Sequence, residues 1–185
     1  MRAARELDPM SPVINTLEAR FLIEAGRRDE GRARLNRALE IAPNFWLAHN
    51  TLGLLHQAEQ QPEQAIAALR RGVMLADNSR AGASLGVYLA RSGQREEARE
   101  ILKEMLTLAQ TRYVPPTSLA ALHAAVGEVV PALDALDRAF ESRDTRLIYL
   151  KDDTRFAAGL RGEPRFVALL HKLKLDQFGP GVGTP

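Results

Sequence analysis

The apolar positions of this chain recur on two nested periods. The short one is helical: Leu52, Leu55 and Ala58, then Ala65, Ile66, Leu69 and Val73, place aliphatic side chains along one face at the spacing of an α-helix. The long one is a repeat. Gly31, Ala65, Ala98 and Ala132 stand 34, 33 and 34 residues apart, and four residues after each comes a leucine: Leu35, Leu69, Leu102 and Leu136. Three further on are Ala38, Gly72, Met105 and Ala139. A second column of small residues, Ala19, Gly53, Gly86 and Ala120, keeps the same intervals. Between the two columns lie Gly26, Gln60, Gly93 and Gly127, and a glycine at three of these four positions marks a helix end followed by a turn.

Each long period therefore predicts two helices joined by a tight turn. The pairs fall at about 12–25 and 28–41, 45–58 and 62–75, 79–91 and 95–110, and 116–126 and 129–142. Pro62 and Pro131 sit near helix starts, where a missing N–H costs nothing. Small residues in two columns let the paired backbones approach closely. One hairpin cannot bury both of its faces, so the units are expected to stack, each stabilised by its neighbours.

The pattern resembles the tetratricopeptide repeat (TPR) family, in which a large residue, Leu-Gly and an aromatic are followed by Ala, a large residue and Pro. The second unit carries it most fully, with His49, Leu52-Gly53, His56, Ala65 and Leu69, and Asp77 in the place of the proline. The first has Asn15, Glu18-Ala19, Leu22, Gly31, Leu35 and Pro43. The third has Leu85-Gly86, Leu89, Ala98 and Leu102, and the fourth Leu119-Ala120, His123, Ala132 and Leu136. The resemblance implies an all-α solenoid, a right-handed superhelix of antiparallel helix pairs, with four units at 12–45, 46–78, 79–112 and 113–143.

The two ends differ. Ala4, Leu7 and Pro9 precede Ala38, Ile41 and Pro43 by one period, so 1–11 reads as the remnant of a preceding repeat helix and the chain as cut from a longer protein. At the other end Phe166, Leu170 and Leu173 follow Ala132, Leu136 and Ala139 by one period, which predicts a final second-type helix. The stretch before it lacks Leu-Gly and holds two similar pieces, Asp153-Thr154-Arg155-Phe156 and Glu163-Pro164-Arg165-Phe166. Residues 144–174 are thus expected to form a degenerate capping unit, and 175–185, rich in Gly and Pro, a flexible tail. Tyr149-Leu150-Lys151 with these two pieces resembles the C-terminal ends of bacterial multidomain regulators, in which a repeat array follows a winged-helix domain, a serine/threonine kinase or a cyclase.

Composition agrees with a helical reading. Of 185 residues, 45% are hydrophobic and only 5% aromatic, enough for a continuous core and poor in strand formers. There is no cysteine, hence no disulfide framework, thiolate metal site or cysteine nucleophile, which suits a cytoplasmic protein. No run of 18 apolar residues crosses a membrane.

No catalytic constellation is present: HExxH, GxxxxGK[ST] and GxSxG are absent, and paired acids such as Asp152-Asp153 and Glu96-Glu97 fall near helix starts, where carboxylates serve the helix dipole. Of His49, His56, His123 and His171, only the first two share a helix, at a spacing unsuited to a metal, so neither metal nor cofactor is expected. An enzyme is not expected either. The family resemblance places the ligand groove on the first helix of each pair. By register this selects Thr16, Arg20, Glu24, Asn50, Leu54, Arg80, Val87 and Arg91. Asn50 suits both edges of an extended backbone, and the arginines suit carboxylates, so the expected partner is a protein or peptide of acidic character. Thr16, Thr51 and Ser84 occupy three places where the family's carboxylate clamp for chaperone tails needs Lys and Asn, so that activity is not carried over. The net charge is +2, with acids interleaved among the arginines, which weakens the alternative of a nucleic-acid-binding repeat protein. Self-association through the uncovered first hairpin is a further expectation.

Overall fold

The computed structural model describes residues 6–76, 79–151, 153–156 and 159–177. Asp77, Asp152, Ala4 and most of the expected tail lie outside the described residues. Among the described residues all regular structure is helical. Eight α-helices follow the long period: α1 (Pro12–Glu24), α2 (Arg28–Ile41), α3 (Trp46–Ala58), α4 (Pro62–Leu75), α5 (Ser79–Arg91), α6 (Arg95–Leu108), α7 (Pro116–Val126) and α8 (Val129–Glu141). Two short 3₁₀ segments, Thr145–Tyr149 and Thr154–Phe156, then lead to α9 (Pro164–Lys172). Among the described residues no helix is long and apolar enough to cross a membrane.

The same turn joins the helices of every pair. Gly26, Gln60, Gly93 and Gly127 are left-handed, with φ of 80°, 59°, 87° and 91°. Behind each, an amide reaches back five residues to close the helix: Arg27 to the Leu22 carbonyl, Gln61 to His56, Gln94 to Leu89 and Glu128 to His123, all at 2.8–2.9 Å. The bond from Gln61 holds Gln60 in a conformation that the three glycines adopt without strain. In two of the turns the side chains repeat the backbone link. His56 Nδ1 lies 2.8 Å from Gln61 Oε1, and His123 Nδ1 lies 2.6 Å from Glu128 Oε2. These histidines fasten turns.

The chain forms two compact units that divide within α5, between Leu85 and Gly86. In the N-terminal unit α1 packs on α2 and α3 on α4, and α3 also contacts both α1 and α2. Its core is Ala19 and Ile23 of α1, Leu35 and Ala38 of α2, and Ala48 and Leu55 of α3. Ser11 caps α1 by accepting the Ile14 N–H at 3.3 Å. Glycine is required where helices cross: a Cβ on Gly31 would stand 2.7 Å from Ile23 Cγ1, and one on Gly53 would stand 2.6 Å from Leu69 Cγ.

In the C-terminal unit α7 packs on α6 and α8, and Gly86 of α5 admits Leu122 and Ile101 against its backbone. The start of α7 is capped from a distance. Buried Asp144 accepts the Thr117 N–H at 3.2 Å, its Oγ1–H at 2.7 Å and the Arg146 N–H at 3.0 Å. The first helix of a fifth pair is replaced by the two 3₁₀ segments, whose Phe156 meets Phe166 of α9 at 6.4 Å between ring centroids. Both rings are buried, so the two similar sequence pieces supply facing halves of one apolar contact. Arg165 ties α9 to α8 through Asp134 at 2.8 Å and Asp137 at 2.6 Å.

Candidate functional site

Five of the eight residues picked out by register occupy the N-terminal unit on open or half-open surface. Arg20 and Glu24, one turn apart on α1, are both exposed and pair at 2.8 Å, so each neutralises the other. Asn50 is half-buried in the middle of α3, and no side-chain hydrogen bond joins it to another described residue. Leu54, one turn on, is half-buried and packs against the core of the unit. Arg80, in the first turn of α5, is exposed, and its guanidinium lies 5.9 Å above the ring of Trp46. At that distance the cation is attracted to the face of the ring.

The remaining three are placed otherwise. Thr16 is wholly buried, and its hydroxyl donates to the Pro12 carbonyl at 2.7 Å, which lets a polar residue serve in the core. Val87 is buried within the C-terminal unit. Arg91 also belongs to that unit; it reaches the surface, but desolvation by the groups around it draws its pKa below the ordinary arginine value, while Asp153 opposes and Arg155 reinforces the shift. Asp153 is itself held by Arg155, with Nε at 2.9 Å from Oδ1 and Nη2 at 2.5 Å from Oδ2. Burial raises the Asp153 pKa, but the Arg155 hydrogen bonds and charge, with Arg146 beyond, outweigh it and leave the carboxyl below its usual range.

One residue of this surface escaped the register count. Trp46 begins α3 one place before the first counted position, and being the only tryptophan of the chain was the available signal. His49 neighbours Asn50 and is turned to the Pro43 carbonyl at 2.8 Å, which fixes the start of α3 rather than offering a ligand group. Among the described residues no three potential metal ligands gather. The patch formed by Asn50, Leu54, Trp46 and Arg80 can thus hydrogen-bond, stack and attract negative charge, and it offers no nucleophile or general base for chemistry.

The chain is similar in structure to TTC0263, a thermophilic TPR protein of Thermus thermophilus, with a TM-score of 0.61 and 19% identity over 92% of this chain and 87% of that one. Its fold is that of a TPR protein. Less similar are YrrB, described as a TPR protein with an unusual peptide-binding site (TM-score 0.49, 15% identity, 96% of this chain and 97% of that one), and a chain of Naa15/Naa10 bound to HypK-THB (TM-score 0.49, 19% identity, 92% and 27%). No protein-family profile matches the sequence, and no curated protein matches it. In TPR terms, α1, α3, α5 and α7 are first helices, and the patch around Asn50 lies on the first helices of the N-terminal unit.

Proposed function

We propose that this chain is a protein-interaction module that holds a peptide or helix of a partner against the first-helix face of its N-terminal unit. The observation that carries the reading is Asn50: a half-buried amide without a side-chain bond to another described residue, set beside apolar Leu54 on α3, the helix that also supplies Trp46 beneath Arg80. A half-buried amide donates and accepts at little cost only if a ligand meets both edges. An extended backbone does so, and an acidic ligand side chain suits the Arg80 guanidinium. Several arginines of the unit pair with acids, Arg27 with Glu30 at 2.7 Å, Arg32 with Glu59 at 2.5 Å and Arg37 with Glu40 at 3.0 Å. Such matching favours a protein ligand over the phosphates of a nucleic acid. The resemblance of the closing segment to the ends of bacterial multidomain regulators extends the reading to a cytoplasmic regulatory protein, with Val87 and Arg91 belonging to the C-terminal unit.

Capture of partners from lysate of the source cell tests this. Asn50→Ala and Arg80→Glu are expected to weaken capture of a specific partner by about 1–2 kcal/mol each, a roughly 5- to 30-fold loss, with no fall in melting temperature. Equal capture by wild type and both variants overturns the assignment.

A further inference from the structure

Trp46, Asn50 and Leu54 follow one another at four-residue intervals along α3. Residues so spaced on a helix stand one above the next, about 6 Å apart along its axis. The three therefore form one stripe about 12 Å long. All three are half-buried. The chemistry of the stripe changes along its length. At the start of α3 the Trp46 ring carries the Arg80 guanidinium at 5.9 Å, in the middle stands the Asn50 amide, and at the far end Leu54 offers an aliphatic side chain that rests on the core.

The spacing of these groups discriminates between ligand conformations. An extended chain advances about 3.3 Å per residue and turns alternate side chains to one face, so two of its residues cover about 6.6 Å. Laid along α3, it stays nearly in step with the stripe: side chains four residues apart, about 13 Å, meet its two ends while the backbone between them passes Asn50. Two residues apart falls short of the stripe by about 5 Å, and six overshoots it by about 8 Å. A helical ligand needs eight residues for the same length, and the backbone it brings to Asn50 has its N–H and C=O groups already bonded within the helix. Only an extended ligand leaves both for the amide.

On the reading of this patch as the ligand site, we infer that the partner segment is extended along α3 and carries Asp or Glu four residues, in either direction along its chain, from an aliphatic residue. The acid meets Arg80, the aliphatic side chain meets Leu54, and the backbone between them bonds Asn50. A guanidinium has five N–H donors, so Arg80 takes a ligand carboxylate in addition to the bonds it makes within its own chain. The aliphatic residue covers the exposed part of Leu54 and gains by leaving water.

Fluorescence anisotropy with the full chain tests the inference. The probes are fluorescein-labelled peptides of Ser and Thr containing one Glu and one Leu, placed two, four or six residues apart in both orders. The better order at a spacing of four is expected to bind about fivefold or more tighter than any peptide at two or six. Asn50→Ala should weaken every peptide by a similar factor, since the amide bonds the backbone. Arg80→Glu should abolish the preference for the spacing of four, and replacing the peptide Glu by Lys at that spacing should restore binding to this variant. Binding that depends on Asn50 and Arg80 but not on spacing overturns the inference and leaves the site assignment standing. Binding unchanged by either variant, or none at about 1 mM peptide, overturns both. A preference for spacing that survives Arg80→Glu, or tighter binding of a helix-stapled peptide with the two residues eight apart, overturns the extended arrangement.

Discussion

Alanine at Gly31 puts a methyl carbon 2.7 Å from Ile23 Cγ1 and 3.1 Å from the Ala19 carbonyl oxygen. Ile23 is only 5% exposed and has little room to swing aside, and the carbonyl belongs to the backbone of α1. Overpacking of this kind costs about 1–3 kcal/mol. The gain in helix propensity from Gly to Ala, about 1 kcal/mol, offsets part of it. Gly72 on α4 supplies the control. A Cβ there meets the Asn50 nitrogen and Trp46 oxygen at 3.4 Å and His49 Cβ at 3.7 Å, close to ordinary contact. Gly72→Ala should therefore be neutral or stabilising by up to about 1 kcal/mol, and the two variants should differ by about 1–3 kcal/mol. Trp46 is the sole tryptophan and lies in the same unit as both glycines, so urea unfolding followed by tryptophan fluorescence reports that unit alone. Midpoints that move equally for the two variants, at unchanged slope, would refute the close approach of α1 and α2 at Gly31.

Two further outcomes concern the C-terminal unit. Asp144→Ala removes the acceptor for the Thr117 N–H and hydroxyl and for the Arg146 N–H, and should cost about 1–3 kcal/mol in thermal unfolding monitored by circular dichroism. Asp153 has a folded pKa below its ordinary value of 3.8, so its contribution is fully present above that pH and is lost as pH falls through the lower folded value. Asp153→Asn should accordingly flatten the loss of stability on acidification below about pH 4, and an unchanged acid slope would count against the Arg155 pairing as its source.

The helix pairs were legible because the constraints behind them act on single positions. Close backbone approach restricts the residues at Gly31, Gly53 and Gly86, and a left-handed turn favours the glycines at 26, 93 and 127, so the columns write the period into the sequence. Even Gln60, with no glycine to announce it, falls in place because its neighbours in the column fix the register. The candidate surface was less legible. Register tells which way a residue points from its own helix, but not whether another helix lies there: Thr16 points into a packed interior and satisfies its hydroxyl on its own helix, while Arg20 spends its charge on Glu24. Trp46 was missed because it stands just outside the counted positions, and its importance comes from Arg80, one repeat away. The 3₁₀ segments lack a helical period altogether, since the Asp144 cap and the Phe156–Phe166 contact, rather than an apolar stripe, hold them.

The uniform turn within every hairpin sets the phase of the helix that follows. One residue added at Gly26, Gln60, Gly93 or Gly127 would rotate the second helix by about 100°, carrying Gly31, Ala65, Ala98 or Ala132 off the seam and swinging a bulkier neighbour into it. Length can therefore vary between hairpins more readily than within them, and over evolutionary time insertions and deletions should collect in the connecting segments while the turns keep their count.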